Sequence, residues 1–535
     1  LAAATAGCAP RVAPPPTATA TVAFEESASA AGITHRWTPP GTPPLNILQT
    51  IGNGVALFDQ DGDGNLDLLC VGPKPALYRG DGKGRFTDAT QTSGLAKIQG
   101  YFLGCATGDV DNDGGTDVLL TGYGEGRLLR SVGGKFVDIT PGSGVPRLRW
   151  GTSAAFADID GDGDLDVYIG NYAEFGPKTV PQLCLAHGIR TSCGPKEYKP
   201  VKGVLLLGDG KGRFTDVTKA WNAADISGKT LGVAFADIDG TGKPSLMLAN
   251  DEMPGDLLHN LGGRFDNIAS VAGVAYDGAG NLHGGMGTDW GDVDGDGLFD
   301  VFVATYQNEV KNLYRNGGDL IFTDRSTESG LSPVVPMVSF GSKFVDIDND
   351  GDLDLAVANG HVQDNIEKVD RSTTYRQPTQ LFLNDGKGNY SDVSSSLGEP
   401  GRAPIVGRGL ATGDIDNDGL LDMVVVDSDG HPLVLRNRSR GAGHWIGLDL
   451  RQPKGGPSDA TGVRIEASVN GKRIVRHVHS DGSYLSASDR RVVIGLGSAT
   501  KADAIVATWS DGSKETLPAL AADRYWVVER GSAPR

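Results

Sequence analysis

A short apolar run, an acidic nonapeptide and a second apolar run recur along this chain in one fixed frame. GVALF (54–58), TSAAFA (152–157), LGVAFA (231–236) and FGSKFV (340–345) each stand just before such a nonapeptide. DLLCVG (67–72), DVYIGN (166–171), DVFVAT (300–305), DLAVAN (354–359) and DMVVVD (422–427) overlap its end and continue beyond it. Their length and their small, β-branched and apolar residues predict strands. A second pair of runs follows around a Gly-rich turn, as in LYRGDGKGRFTDAT (77–90), LLLGDGKGRFTDVT (205–218) and LFLNDGKGNYSDVS (381–394). Weaker copies occupy 128–140, 257–269 and 313–326. The predicted unit is strand A, acidic loop, strand B, strand C, Gly-rich turn, strand D. Seven such units predict an all-β chain built around a seven-bladed β-propeller.

The outermost strand carries an internal check. Phe86, Phe136, Phe214, Phe265, Phe322 and Tyr390 supply one aromatic in each of six D strands, and the seventh unit has none downstream. An orphan copy, TVAFEESASAAGI with Phe24, stands near the N-terminus. It is expected to supply the last blade's outer strand and close the ring, which hides the sheet edges.

Composition changes the picture through charge. The chain has 535 residues, with 78 Gly and a formal charge of −18 from 49 Lys and Arg against 67 Asp and Glu. Glycine at about twice its usual ~7 % suits many tight turns. The acids are concentrated in seven nonapeptides: DQDGDGNLD (59–67), DVDNDGGTD (109–117), DIDGDGDLD (158–166), DIDGTGKPS (237–245), DVDGDGLFD (292–300), DIDNDGDLD (346–354) and DIDNDGLLD (414–422). Six carry Asp at positions one, three, five and nine with Gly at six. Those six hold 24 of the 67 acids, and the remaining 43 stand against 49 bases. Four carboxylates in nine residues repel, and a compact fold tolerates them with a cation among them.

Hard, flexible, all-oxygen ligation without His or Cys selects Ca²⁺ over Mg²⁺ and Zn²⁺. Six calcium sites are expected. The carboxylate ligands are Asp59, Asp61, Asp63 and Asp67 in the first loop and Asp109, Asp111, Asp113 and Asp117 in the second. The third uses Asp158, Asp160, Asp162 and Asp166, and the fifth uses Asp292, Asp294, Asp296 and Asp300. The sixth uses Asp346, Asp348, Asp350 and Asp354, and the seventh Asp414, Asp416, Asp418 and Asp422. Position nine is expected to be bidentate. Position seven varies, as Asn65, Gly115, Asp164, Leu298, Asp352 and Leu420, which fits ligation by its backbone carbonyl. The fourth copy keeps Asp237 and Asp239 but has Thr241, Lys243 and Ser245 after them. Lys243 could supply its own cation there, and no calcium is expected.

These loops resemble the FG-GAP/VCBS repeats of integrin α-subunit propellers. The stretch from about Phe24 to Arg530 resembles the cartilage acidic protein family with its ASPIC/UnbV C-terminal domain. CGPKEY (193–198), NDEMPGDLLHN (250–260), VANGHV (357–362) and the tail GHWIGLDL, GSYLS, VVIGLG and ATWSDGS carry this likeness. The resemblance implies calcium binding and an extracellular or envelope location. It implies no settled biochemical activity.

The organisation expected is a leader and Pro-rich linker over 1–23, the propeller over 24–440 and a small β-sandwich over 441–531. Residues 441–531 lack the acidic loop and alternate apolar with polar positions, with hairpin turns at Asn470-Gly471 and Asp511-Gly512. His444, His477 and His479 are expected to face solvent rather than bind metal. Ala6-Gly7-Cys8 resembles the end of a lipobox, which would lipidate Cys8 and make RVAPPPTATAT a tether; an ordinary disordered N-terminus is the alternative. Cys184 and Cys193 bracket CLAHGIRTSC and are expected to form a disulfide, as in an oxidising compartment. Cys70 and Cys105 are either buried thiols or a bond. Arg79-Gly80-Asp81 spells an adhesion tripeptide, but the same turn recurs at 208–212 and 384–388, so turn chemistry explains Asp81.

The A–B and C–D turns share one face, so the calcium loops lie together there. The B–C connections lie on the other face and carry two insertions, 171–202 and 359–379. Trp150, Tyr172, His283, His361 and Asp364 are the candidates on that face. The expected function is a secreted or envelope-anchored, non-catalytic calcium-binding module for adhesion, binding or assembly. Its partner would be a protein or glycan on the face opposite the calcium loops. One alternative is an accessory subunit of a periplasmic or cell-surface complex. The other is a metal-dependent carbohydrate lyase or hydrolase with His283 and His361 as acid and base. The acidity disfavours nucleic acid, and no run of about 18 apolar residues spans a membrane.

Overall fold

The computed structural model describes residues 20–453 and 456–535. The predicted leader and Cys8 therefore fall outside the described residues. Seven four-stranded antiparallel sheets use the residues from Phe24 to Asn437. Their innermost strands are Val55–Phe58, Phe102–Gly108, Gly151–Ala157, Thr230–Ala236, Thr288–Gly291, Ser339–Val345 and Gly407–Gly413. Each packs against the next, and the last returns to the first. The sheets therefore form a closed ring and are numbered one to seven in that order.

The seventh sheet closes as the orphan aromatic predicts. Phe24–Glu26 pairs antiparallel with Leu433–Asn437, matching Phe24 to Asn437. Thr21 and Arg440 extend the clasp. Residues from the two ends of the ring thus share one sheet. The aromatics that open the other outer strands are buried. Several are pinned from the adjacent connection: the N–H groups of Phe136, Phe214 and Tyr390 donate to the carbonyls of Ser93, Ser143 and Ser329. Apolar clusters fill the space between neighbouring sheets, such as Leu119, Phe156 and Val167 between sheets two and three.

The residues after 440 build two more sheets. His444–Arg451 lies between Val492–Gly497 and Arg524–Glu529 in one; Arg464–Val469, Lys472–His477, Ala504–Thr508 and Lys514–Thr516 form the other. A shared core of Ile446, Leu448, Ile465, Ile494, Ile505 and Trp509 joins them into a sandwich. Asn470 and Gly471 both have positive φ, as the predicted two-residue hairpin requires.

The connection between Lys472–His477 and Val492–Gly497 leaves the sandwich and runs along the axis of the ring. This was not anticipated from the sequence. Residues 480–489 bond to the innermost strand of every sheet. The Leu57 N–H donates to the Ala487 carbonyl (3.1 Å), and that of Cys105 to Leu485 (3.1 Å). Ser153 Oγ accepts from the Leu485 N–H (2.9 Å), and Asp481 Oδ2 from the Phe235 N–H (2.9 Å). Thr288 and Ser483 exchange two backbone bonds. Lys343 Nζ donates to the Asp481 carbonyl (2.7 Å), and the Asp489 N–H to that of Thr412 (3.0 Å). Lys343 also pairs with buried Asp289 at 2.8 Å. Ser483 and Leu485 hold positive φ, a strained geometry that the surrounding bonds fix.

The axial segment fits tightly against the first inner strand. A Cβ on Gly54 would stand 1.7 Å from the Leu485 carbonyl oxygen. Gly54→Ala is therefore expected to destabilise the protein by about 1–3 kcal/mol. Gly194→Ala, where a Cβ meets nothing within 4 Å, should stay within about 0.5 kcal/mol of the parent. Denaturant unfolding measures both. A second check concerns the clasp: removing residues 1–20 should leave melting unchanged, whereas removal through Ser29 should expose the Leu433–Asn437 edge and cause aggregation.

Candidate functional site

The acidic loops fold alike because each carboxylate has a fixed backbone task. In all six complete loops the position-six Gly N–H donates to Oδ2 of position one at 2.7–3.2 Å. Position five caps the turn, accepting the position-seven N–H at 2.8–3.0 Å. Position nine holds two elements together. Its Oδ2 accepts the position-two N–H at 2.8–3.1 Å. Its Oδ1 accepts a strand-C N–H at 2.7–2.9 Å, from Gly80, Ser131, Gly208, Asn316, Asn384 and Asn437 in turn.

Positions one, three and nine converge. Asp59, Asp61 and Asp67 bring one oxygen each within 4.8 Å of one another, as do Asp109, Asp111 and Asp117. The same holds for Asp158, Asp160 and Asp166, for Asp292, Asp294 and Asp300, and for Asp346, Asp348 and Asp354, with one further group among the described residues. Asp63, Asp113, Asp162, Asp296 and Asp350 are not in these groups. Both oxygens of position nine already accept N–H groups.

Burial gives these carboxylates abnormal acidity. Loss of hydration pushes Asp67 up to about 7, Asp117 and Asp166 to about 8, and Asp300, Asp354 and Asp422 well above the carboxylate range. At position one, Asp109, Asp158, Asp292 and Asp414 rise to about 6 and Asp346 to about 8 for the same reason. Asp61, Asp111, Asp292, Asp346 and Asp416 each keep a buried oxygen with no hydrogen-bond partner. Orphaned carboxylate oxygens beside two further carboxylates suit a metal ion: it would repay their desolvation.

The fourth loop differs, and from the expected cause only in part. Lys243 Nζ lies beside Gly262, while His259 Nε2 stands 2.8 Å from Asp239. Ser245 replaces the carboxylate of position nine, and its hydroxyl accepts the Asn260 N–H.

Bonds between loops also escaped the sequence reading. Asn112 and Asn417, at position four with positive φ, donate to Asp164 and Asn65 of neighbouring loops at 2.8 and 3.1 Å. The sandwich then lies over the loops. Arg464 donates to the Gly297 carbonyl, Arg473 to Asp296, Lys472 to Asp350 and Arg476 to Gly351. Tyr525 OH donates to Asp414 at 2.9 Å, and Ser458 bonds Asp109. His477 and His479 sit in this interface, stacked at 3.9 Å with His477 against Phe299, rather than facing solvent. His444 is half-exposed and pairs with Asp523.

The opposite end of the ring holds the two insertions. The Cys184–Cys193 disulfide ties the first, while Cys70 and Cys105 are buried and free. The insertions meet: Thr191 donates to Asn365, and Gln363 Nε2 to the Ser192 carbonyl. Beneath them lies a cavity of about 150 Å³, floored by Leu231, Met286 and Phe340 and walled by Tyr172, Asp251, Glu252 and Tyr306. Tyr172 OH donates to Asp251 at 2.5 Å, and burial raises Asp251 to about 7. Trp150 packs behind Tyr172 at 4.9 Å, and Asp364 accepts the Leu45 N–H. His361 is fully buried and bonded at both nitrogens, to Tyr306 OH and the Gln363 N–H. His283 is also buried. Asp81 accepts the N–H groups of Lys83 and Arg85, the turn role expected of it.

Residues 59–120, 109–169 and 292–357 match the FG-GAP-like repeat family, and residues 453–535 match the family described as ASPIC and UnbV. The chain carries FG-GAP-like repeats and an ASPIC and UnbV segment. It is similar to cartilage acidic protein 1 of Mus musculus and of Homo sapiens, each 25 % identical over 393 residues. These alignments cover 71 % of this chain and 54 % and 53 % of the relatives, so the chain spans about half their length. Among solved structures, an Agrocybe aegerita lectin specific for non-reducing terminal N-acetylglucosamine is similar at 14 % identity and TM-score 0.42, covering 72 % of this chain and 94 % of the lectin. YCF48 of Cyanidioschyzon merolae is similar at 10 % identity and TM-score 0.37, covering 75 % and 98 %. The segments that match the FG-GAP-like repeat hold the acidic loops of sheets one, two, three, five and six. The ASPIC and UnbV segment includes the axial residues 480–489.

The raised acidities fix the sign of a pH effect. A carboxylate whose folded pKa exceeds its unfolded value stabilises the fold least above the folded pKa. In chelator, melting temperature should fall as pH rises from about 5 to about 9, through the values of Asp67, Asp117 and Asp166. Calcium should flatten that dependence and raise stability by about 2.7 kcal/mol per site at a hundredfold excess over Kd. Scanning calorimetry across pH with EDTA or calcium reads both.

Proposed function

We propose that this chain is a calcium-stabilised, non-catalytic binding module that works outside the cytoplasm and meets its ligand at the insertion end of the ring. The division of faces carries this reading. The sandwich sits over part of the loop face, whereas the other end gathers both insertions around the enclosed cavity. Elaborated connections on a rigid scaffold are where binding concentrates. Calcium is the metal that suits all-oxygen loops of this kind, with positions one, three, five and nine as carboxylate ligands and seven through its carbonyl. The propeller unit is residues 24–440 and the sandwich unit 441–531. A disulfide near that end supports an oxidising compartment. No helix among the described residues is long and apolar enough to cross a membrane.

Aromatic and carboxylate groups together suit a protein or glycan ligand with polar and apolar parts. His361 is buried behind Tyr306, does not line the cavity, and gives no support to acid–base chemistry there. A glycan and glycoprotein binding screen with the full chain tests the reading, beside an activity screen on the same polymers. Binding is expected, and Gln363→Ala or Glu252→Ala should weaken it about tenfold with melting unchanged. Turnover of a polymer, or binding indifferent to both substitutions, would overturn it.

A further inference from the structure

One strand-C position divides the acidic loops into unequal classes. It is the residue just before the one whose N–H position nine accepts. In loops one, two, five and seven it is Arg79, Arg130, Arg315 and Arg436; in loops three and six it is Leu207 and Leu383. Each arginine reaches the position-three carboxylate of its own loop. Arg79 Nε lies 3.2 Å from Asp61 Oδ2, and Arg130, Arg315 and Arg436 contact Asp111, Asp294 and Asp416. In three of these loops the arginine takes Oδ2 while Oδ1 of Asp61, Asp111 or Asp416 stays buried and unpartnered. The guanidinium therefore leaves one oxygen for a metal, but a fixed positive charge stands one carboxylate away from it. Loop six has no such arginine yet receives cations from the sandwich: Lys472 lies 2.7 Å from Asp352, and Arg476 3.6 Å from Asp346. Loop three has Lys211 near its position-seven side chain Asp164, but at no ion-pair contact. No ion pair involves Asp158, Asp160, Asp162, Asp164 or Asp166 among the described residues.

Resting on the calcium reading above, we propose that the strand-C residue sets the metal affinity of each loop and that Asp158–Asp166 is the high-affinity site. A nearby guanidinium repels a divalent ion and also supplies the loop's countercharge when the ion is absent. Loops one, two, five and seven are thus built to persist without metal and to bind it weakly. The third loop has no cation in ion-pair contact and depends most on the metal for countercharge.

Native mass spectrometry of the full chain, titrated with calcium, tests this. One ion should bind at free calcium at least tenfold below that needed for the next. Leu207→Arg should abolish that first step, and Leu207→Gln, similar in size but neutral, should keep it. Arg79→Leu should create a second tight step. Melting in saturating calcium checks that each variant is folded. Six equivalent steps in the parent, or an unaltered first step in Leu207→Arg, would overturn the proposal and leave the calcium reading intact. An absence of any bound calcium would overturn the calcium reading itself.

Discussion

The inner edge of each sheet in a closed ring presents backbone groups that no neighbouring strand can pair, and in this protein one segment of chain pairs with all seven. Residues 480–489 occupy the axis that an ordinary sheet partner could not enter. Their polar composition follows from that place. Ser153, Ser486 and Ser488 hydroxyls and the Asp481 carboxylate reach inner-strand or axial N–H groups where backbone alone cannot span the gap. A buried polar group costs little only when it is satisfied, so the segment and the ring fix each other's conformation.

This arrangement also explains why the sandwich lies where it does. Its axial segment leaves after His477 and returns before Val492, so the strand before it ends, and the strand after it begins, at the loop end of the ring. The arginines and lysine of the Lys472–His477 strand then meet loop carbonyls, not only loop carboxylates. A carbonyl accepts a cationic donor without consuming a carboxylate oxygen. The sandwich can therefore sit over the acidic face while leaving buried oxygens at Asp292, Asp346 and Asp416 unengaged.

Much of this was legible because repetition made it so. Six copies of one nonapeptide gave the loops, and one aromatic per outer strand assigned Phe24 to the seventh sheet across more than four hundred residues. The disulfide followed from two cysteines bracketing a short insertion. The axial segment was not legible, since SDGSYLSASD has neither strand nor helix period and reads as a surface loop. Its burial comes from long-range pairing, which leaves no local signature. Tyr484 and Leu485, apolar residues in a stretch otherwise small and polar, were the available hint. The arginines at 79, 130, 315 and 436 are visible in the repeat but read as ordinary strand residues, because only the fold shows which loop they reach. Similarly, Lys243 is close to Asp239 in sequence, whereas His259 is close in space.

The clasp and the axle also fix an order of events during synthesis. Phe24–Glu26 emerges from the ribosome first among the ring strands and is used last, since its partner Leu433–Asn437 belongs to the final sheet. The axial segment emerges later still, when every ring strand is already made. A ring formed before the segment arrives would enclose an empty axis, with inner N–H groups and Leu103, Leu231 and Phe340 uncovered by Tyr484 and Leu485. A ring that clasped firmly at that stage would have to admit the segment as a loop pushed in from one end. A ring that stays open can instead wrap around the tail as it arrives. The short three-residue clasp, joined late and at one edge, suits the second course. Assembly then ends with the axle in place and the ring drawn shut around it.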